Sequence, residues 1–265
     1  MDRGRVLAVI PARYGSSRFP GKPLVRLLGT PMLAHVVTRV RDAGCFDEVV
    51  VATDDERIAA IAREAGATVA MTGECRTGTD RVAAAVTRLD GDIVVNVQGD
   101  EPALPPENLR ILTTFLRHHA DVPLATLSLP ASAEDVANPN VVKVVCDLRG
   151  RALYFSRAAI PFPRNPAPAA ARRHVGLYGF RREALFAFTS WPEAELERIE
   201  SLEQLRALAN GMPIHVLAAA ADSVAVDVPA DVPRAEAALA ALARQGSGLR
   251  GPGSAESFRG RGESA

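Results

Sequence analysis

Three cations, Arg13, Arg18 and Lys22, punctuate a loop of Gly, Ser and Pro that follows an apolar run at residues 6–10. A loop of this make-up at the C-terminal end of a strand suits a polyanion such as a triphosphate. Gly15 and Gly21 permit close backbone approach, and the side chains supply positive charge. Lys22 is one of two lysines in the chain, with Lys143; all other formal positive charge is carried by arginine. A lysine offers phosphate a compact point charge. The loop is not a P-loop, because Pro23 follows Lys22, and it is not G-x-G-x-x-G, which argues against a dinucleotide-dependent dehydrogenase. An ordinary solvated loop has the same composition.

Five further constellations carry chemistry. In Gln98-Gly99-Asp100-Glu101-Pro102 an acid sits where an apolar run ends. A carboxylate there suits Mg²⁺, a hard cation that takes one or two carboxylates plus phosphate oxygens; a turn acid would look the same. Asp227, in an apolar frame before Pro229, is a second such acid and gains weight from pairing with Asp100. Residues 76–81, Arg-Thr-Gly-Thr-Asp-Arg, put small donors ahead of a helix, with Thr79 as an alternative N-cap. On a single predicted helix, Glu200, Glu203 and Gln204 share a face at i, i+3 and i+4, fit for a polyhydroxylated ligand or for solvent. Arg157 has the planar fork that reads a carboxylate, and His174 and Tyr178, four apart on a predicted strand, share a face.

The elements that must position these groups alternate. Apolar runs predict strands at 6–10, 48–53, 68–71, 92–97, 124–129, 141–146, 152–155, 174–181 and 214–217. Helical periodicity predicts helices at 32–41, 55–65, 80–89, 106–119, 183–188, 195–210 and 231–244. The order is that of βαβ units around a largely parallel sheet. Residues 147–150 read as a hairpin turn. Residues 161–173, rich in Pro and Ala, read as a mobile surface loop, and 246–265, rich in Gly and Ser, as a disordered tail after a single domain at 1–245.

The composition sets limits. The chain has 265 residues, of which 48% are hydrophobic, enough for a substantial core. Its 31 basic and 31 acidic residues leave a formal charge of +0, so no global field draws nucleic acid or a membrane surface, and any anion site is local. No apolar run approaches the roughly 20 residues of a membrane span. Three scattered cysteines, Cys45, Cys75 and Cys146, form neither a disulfide framework nor a zinc spacing, and a reduced, cytoplasmic setting is expected.

Nine strings, in order, resemble the 3-deoxy-manno-octulosonate cytidylyltransferase (CMP-Kdo synthetase) family: IPARYGSSRFPGKPL, VVVATDD, MTG, GTDR, VNVQGDEP, NPNVVKVV, ALYFSRAAIP, HVGLYGFR and LEQLR, spanning about residues 6 to 240. The resemblance implies an α/β nucleotide-diphospho-sugar transferase fold, a Rossmann-like mixed sheet with a small β-hairpin subregion carrying sugar contacts and a homodimer interface. It implies transfer of CMP from CTP to 3-deoxy-manno-octulosonate (Kdo) with release of pyrophosphate, feeding lipopolysaccharide synthesis in a Gram-negative cytoplasm. By the same resemblance Arg13 and Lys22 are the triphosphate cations, and Thr77, Gly78, Thr79 and Gln98 lie at the cytosine, ribose and sugar side. Asp100 and Asp227 are Mg²⁺ ligands, and Arg157, His174, Tyr178, Glu203 and Gln204 form the Kdo group. Two departures stand out: a short loop before His174, and Asp-Val-Pro-Ala-Asp-Val at 227–232, which puts the local capping in question. A cytidylyltransferase for sialic acid or an 8-amino Kdo analogue, or a non-catalytic sugar-nucleotide-binding protein, is the alternative reading.

Overall fold

The computed structural model describes residues 4–15, 19–165 and 171–247. Arg18, the middle of the expected 161–173 loop and the expected tail from residue 248 onward lie outside the described residues.

Val6 to Ile10 have no exposed surface, as an uninterrupted apolar run in a two-sided sheet requires. Burying each of these larger side chains contributes about 1.5–3 kcal/mol. They form β1 (Val6–Pro11). A 3-10 turn (Lys22–Leu24) and a small hairpin of β2 (Arg26–Leu27) and β3 (Thr30–Pro31) lead to α1 (Met32–Asp42), which buries Leu33, Val36, Val37 and Val40. β4 (Glu48–Thr53) and β5 (Thr68–Met71) have the predicted bounds. Between them α2 (Glu56–Glu64) is capped by the Asp55 carboxylate, which accepts from the amides of Arg57 and Ile58.

α3 (Gly78–Val86) starts two residues earlier than predicted, because Thr77 is its N-cap: the hydroxyl accepts from the Asp80 amide at 3.0 Å. Thr79, the alternative cap, instead lies buried in the first turn. β6 (Ile93–Asn96), α4 (Pro106–His118) and β7 (Leu124–Pro130) follow. A short α5 (Ala133–Ala137), closed by a capping box of Ser132 and Asp135, was not foreseen. β8 (Lys143–Cys146) and β9 (Ala152–Ser156) form the predicted hairpin, whose turn leans on the sheet edge through Val216 N–H to the Gly150 carbonyl. β10 (Arg172–Arg181) and α6 (Arg182–Ser190) complete the middle of the chain.

The helix expected at 195–210 is two, α7 (Glu195–Glu200) and α8 (Leu205–Ala209), separated by Ser201 at φ 52°. A left-handed serine ends the first helix. Glu200, Glu203 and Gln204 therefore do not share one helical face. Arg206 fixes the elbow. It makes two bonds to the Glu197 carboxylate, at 2.9 and 2.5 Å, and its guanidinium lies 4.8 Å from the Phe188 ring centroid. β11 (Ile214–Ala218), a 3-10 turn (Pro229–Asp231) and α9 (Val232–Ser247) end the described chain.

The main sheet runs β11-β7-β10-β6-β1-β4-β5, with β10 antiparallel to its neighbours and the other pairings parallel. The hairpin joins through β8 on β10. From β1 the chain passes outward to β4 and β5, then returns to β6 on the other side of β1. That reversal opens a crevice at the C-terminal ends of β1 and β6, where open α/β sheets bind ligands.

Candidate active site

The crevice is a cleft of about 250 Å³. It is lined by Arg13 and Lys22 after β1, by Cys75, Thr77, Gly78 and Arg81 at the start of α3, by Gln98, Gly99 and Asp100 after β6, and by Asp227. Seven of the sequence-predicted residues thus converge: Arg13, Lys22, Thr77, Gly78, Gln98, Asp100 and Asp227.

Local backbone explains the convergence. Gly21 has φ 73°, a conformation open to glycine, and its amide donates to the Tyr14 carbonyl at 2.9 Å. This turns the chain so that the 3-10 turn presents Lys22 inward. At Gly99, a Cβ would stand 3.0 Å from the Pro11 carbonyl oxygen, so the loop after β6 passes closely over the end of β1 only because that residue has no side chain. The Asp100 carbonyl accepts from the Val226 amide at 2.9 Å, joining the two acidic loops. Asp231 closes the second loop, its carboxylate accepting from the amides of Asp227 and Val228 at 2.9 and 3.0 Å. Those bonds hold the Asp231 pKa below the usual carboxylate value. The departure at 227–232 therefore keeps its capping group.

The Lys22 ammonium sits between the two acids, 2.6 Å from Asp100 Oδ2 and 3.7 Å from Asp227 Oδ1. A cation is already seated on the oxygen pair proposed for a metal. Among the described residues no cluster of three or more His, Cys, Asp or Glu could hold a metal. Two hard oxygens suit Mg²⁺ only when phosphate and water complete the shell. Next door, burial pushes the Glu101 carboxyl up to about 7, and the Asp100 charge adds to the rise.

The remaining predicted residues form a second group that does not line the cleft. Thr79 Oγ1 donates to Glu203 Oε2 at 2.6 Å and accepts from Asn96 Nδ2 at 3.2 Å. Among the described residues, Glu203 Oε1 and Asn96 Oδ1 have no hydrogen-bond partner, although Arg206 Nη2 lies 3.9 Å from the former. Glu200 is fully engaged. It accepts from Ser156 Oγ at 2.6 Å and from the Arg157 amide at 3.0 Å, and its carbonyl takes Arg157 Nε at 2.8 Å. Gln204 is buried. His174 and Tyr178 are neighbours, ring centroids 5.3 Å apart, because a bulge between Val175 and Tyr178 removes two residues of strand length. Desolvation pulls the His174 pKa down to about 3 and raises that of Tyr178, the nearby Glu203 charge adding to the second effect. Both rings are therefore neutral near pH 7.

Sequence reasoning missed Arg81 and Asn96. Arg81 is buried in the cleft wall, donating to Asp54 Oδ2 at 2.6 Å and Thr72 Oγ1 at 2.5 Å. The signal for it was present: Asp54, Thr72 and Arg81 all fall within the strings VVVATDD, MTG and GTDR.

This fold and cleft define a nucleotidyltransferase, and a family model described as Cytidylyltransferase matches residues 7–214. The 3-deoxy-manno-octulosonate cytidylyltransferase of Syntrophotalea carbinolica is 48% identical over 248 residues, covering 89% of this chain and 99% of the relative. That of an Anaeromyxobacter species is 50% identical, covering 91% and 99%. A solved structure of CMP:2-keto-3-deoxy-manno-octonic acid synthetase complexed with CTP superposes with a TM-score of 0.86 at 41% identity, over 90% of this chain and 99% of that one. A 4-diphosphocytidyl-2C-methyl-D-erythritol synthase from Anaerococcus prevotii, 14% identical with a TM-score of 0.63, shares the fold. The chain belongs to the 3-deoxy-manno-octulosonate cytidylyltransferase family.

Proposed function

We propose that the protein transfers CMP from CTP to 3-deoxy-manno-octulosonate, giving CMP-Kdo and pyrophosphate for lipopolysaccharide synthesis. The observation that carries this reading is the cleft itself. The loop cations and the acidic pair meet at the switch point of the sheet, and Thr79, on the helix that begins at the cleft wall, is bonded to Glu203 of the second group.

The anomeric hydroxyl oxygen bonds to the α-phosphorus as the bond from that phosphorus to the β-phosphate oxygen breaks, and the hydroxyl proton passes to solvent. Lys22 and Arg13 neutralise charge on the departing pyrophosphate. Arg81, held by Asp54 and Thr72, stiffens the wall against which the base lies. Glu203, with one oxygen uncommitted to a hydrogen bond, contacts sugar hydroxyls, whereas Glu200 holds Arg157 in place. Arg157 faces the sugar carboxylate. Neutral His174 and Tyr178 offer hydrogen bonds without adding charge. Asp100 and Asp227 would hold Mg²⁺, which when bound supplies charge neutralisation at the phosphates and lowers the pKa of the attacking hydroxyl. The seated Lys22 ammonium supports that fit, since the pair already accepts a cation.

Residues 1–245 act as one catalytic unit. Among the described residues no helix is long and apolar enough to cross a membrane. On this reading the protein works in the cytoplasm on two water-soluble substrates. A homodimer would cover the exposed Leu148 and Leu153 of the hairpin. The deciding assay is pyrophosphate release from CTP with Kdo, with sialic acid and with 8-amino Kdo, each with and without Mg²⁺. Magnesium-dependent release with Kdo alone is expected, and Asp100→Asn should lower it at least 1,000-fold while leaving thermal melting cooperative. Release with another acid sugar in preference to Kdo would overturn the substrate assignment.

A further inference from the structure

Lys143, the second of the two lysines, has no part in the chemistry above, yet its placement is unusual. It is fully buried. A buried ammonium is costly unless its donors are satisfied. Its Nζ spends three donors on three main-chain carbonyls: Asn138 at 2.9 Å, Val141 at 2.7 Å and Arg157 at 2.6 Å. Among the described residues no carboxylate lies within ion-pair distance of it. Three donors for three acceptors match an ammonium and no other side chain of that length.

The three carbonyls belong to the two sides of one construction. Asn138 and Val141 flank Pro139 and Asn140, and the Pro139 carbonyl accepts from Arg157 Nη1 at 3.2 Å. The ammonium therefore holds the loop at Asn138 and Val141 while the Arg157 guanidinium holds it at Pro139, and the ammonium also holds the Arg157 main chain. The strand carrying Lys143 stands between the other two. In register, Lys143 pairs with Ser156 on β9 and with Arg173 on β10, and the His174 amide donates to the Val142 carbonyl at 2.8 Å. Arg157 and His174, from opposite sides, both take their main-chain position from the start of β8.

We propose that Lys143 is a positioning residue for the acid sugar: its ammonium, bonded to the carbonyls of Asn138, Val141 and Arg157, sets the place of Arg157 and His174 relative to one another. This rests on the substrate reading above. Lys143 touches no part of the nucleotide cleft, so its influence falls on the sugar half alone. Burial lowers the Lys143 pKa from the usual lysine value, the Arg157 charge adds to the fall, and the charges of Glu200 and Asp135 oppose it.

The test compares Lys143→Met, which keeps the length and removes the three donors, with Lys143→Gln, which restores two. The readouts are steady-state pyrophosphate release with CTP and Kdo varied in turn, calorimetric binding of CTP alone, and thermal melting. For Lys143→Met the expected result is a KM for Kdo raised at least 10-fold, with the KM for CTP and the affinity for CTP alone within 2-fold of the parent. Lys143→Gln should fall between the two. A KM for Kdo unchanged in a folded variant with lowered melting temperature would overturn the proposal, as would equal changes in both KM values. Failure of both variants to accumulate as folded protein would also overturn it, because the ammonium would then serve the whole fold. A parent that releases no pyrophosphate with Kdo would sink the substrate reading instead, and the parent is measured first.

Discussion

Replacing Lys22 by Met keeps the length of the side chain and removes the cation seated between Asp100 and Asp227. The magnitude follows from the geometry. At 2.6 Å and an effective dielectric of about 20, the attraction to Asp100 is roughly 6 kcal/mol before any cost is counted. The Asp227 contact, at 3.7 Å with that side chain 48% exposed, is the weaker of the two. Partial desolvation of the ions and roughly 2 kcal/mol of lysine rotamer freedom take most of this back. A net attraction of about 2 kcal/mol remains, and a dication that binds without nucleotide must displace it. At about 1.4 kcal/mol per tenfold, Lys22→Met should bind Mn²⁺ about 30-fold tighter than the parent in the absence of CTP. Electron paramagnetic resonance of free Mn²⁺ reads this directly. In chelator the variant should melt below the parent, since Asp100 and Asp227 then lose the lysine charge they share, and added Mn²⁺ should reverse that order. Turnover should fall at least 100-fold, in keeping with lost charge at the leaving pyrophosphate. Equal Mn²⁺ affinity in parent and variant, with CTP-dependent Mn²⁺ binding intact in the parent, would refute the idea that lysine and metal compete for one pair of oxygens.

Three other outcomes are expected. Asp231→Ala removes the acceptor for the amides of Asp227 and Val228 and should cost about 1 kcal/mol, seen by urea unfolding, with a raised Mg²⁺ requirement for activity. The folded His174 stays neutral down to about pH 3, whereas the unfolded chain takes up that proton near pH 6.5. Its contribution is therefore present above pH 6.5 and lost as pH falls toward 3, with a slope of up to about 1.4 kcal/mol per pH unit. Urea titrations at pH 7 and pH 5 should show a smaller difference for His174→Gln than for the parent. Ser201→Gly relieves a left-handed backbone at φ 52° and should raise the melting temperature by a few degrees, worth about 0.5–1 kcal/mol. A lowered melting temperature would mean that the serine side chain earns its place.

The parallel core was legible because each strand is a short apolar run between turn residues, and β4 and β5 begin and end where those runs do. The cationic loop that lines the cleft with Arg13 and Lys22 was legible from residue type alone. The break at Ser201 was not. Leu202 and Leu205 continue the apolar spacing of the preceding helix, and the elbow is imposed by the buried Arg206–Glu197 pair, a contact that spacing does not reveal. Nor was the meeting of His174 and Tyr178 legible in its true form, since four residues of regular strand would hold the rings about 13 Å apart. The alternative reading of Thr79 as the cap fails because a threonine two residues further back, Thr77, satisfies the same pattern. Asn96 lies at the end of a strand, between the apolar Val95 and Val97, where a polar side chain leaves no periodic trace.

The bulge in β10 divides that strand into two parts with different partners. Beyond it, Tyr178 to Arg181 stay in register with β6, and Phe180 among them is buried in the core; before it, Arg172 and Arg173 pair with the hairpin strand β8. Loss or gain of a residue between Val175 and Tyr178 alters which β10 side chains meet Thr126 while Phe180 keeps its place opposite Val94. The strand thus behaves as a spliced joint. On the proposed reading, a change before the bulge alters the sugar side of the site, while the register with β6 beside the cleft is kept.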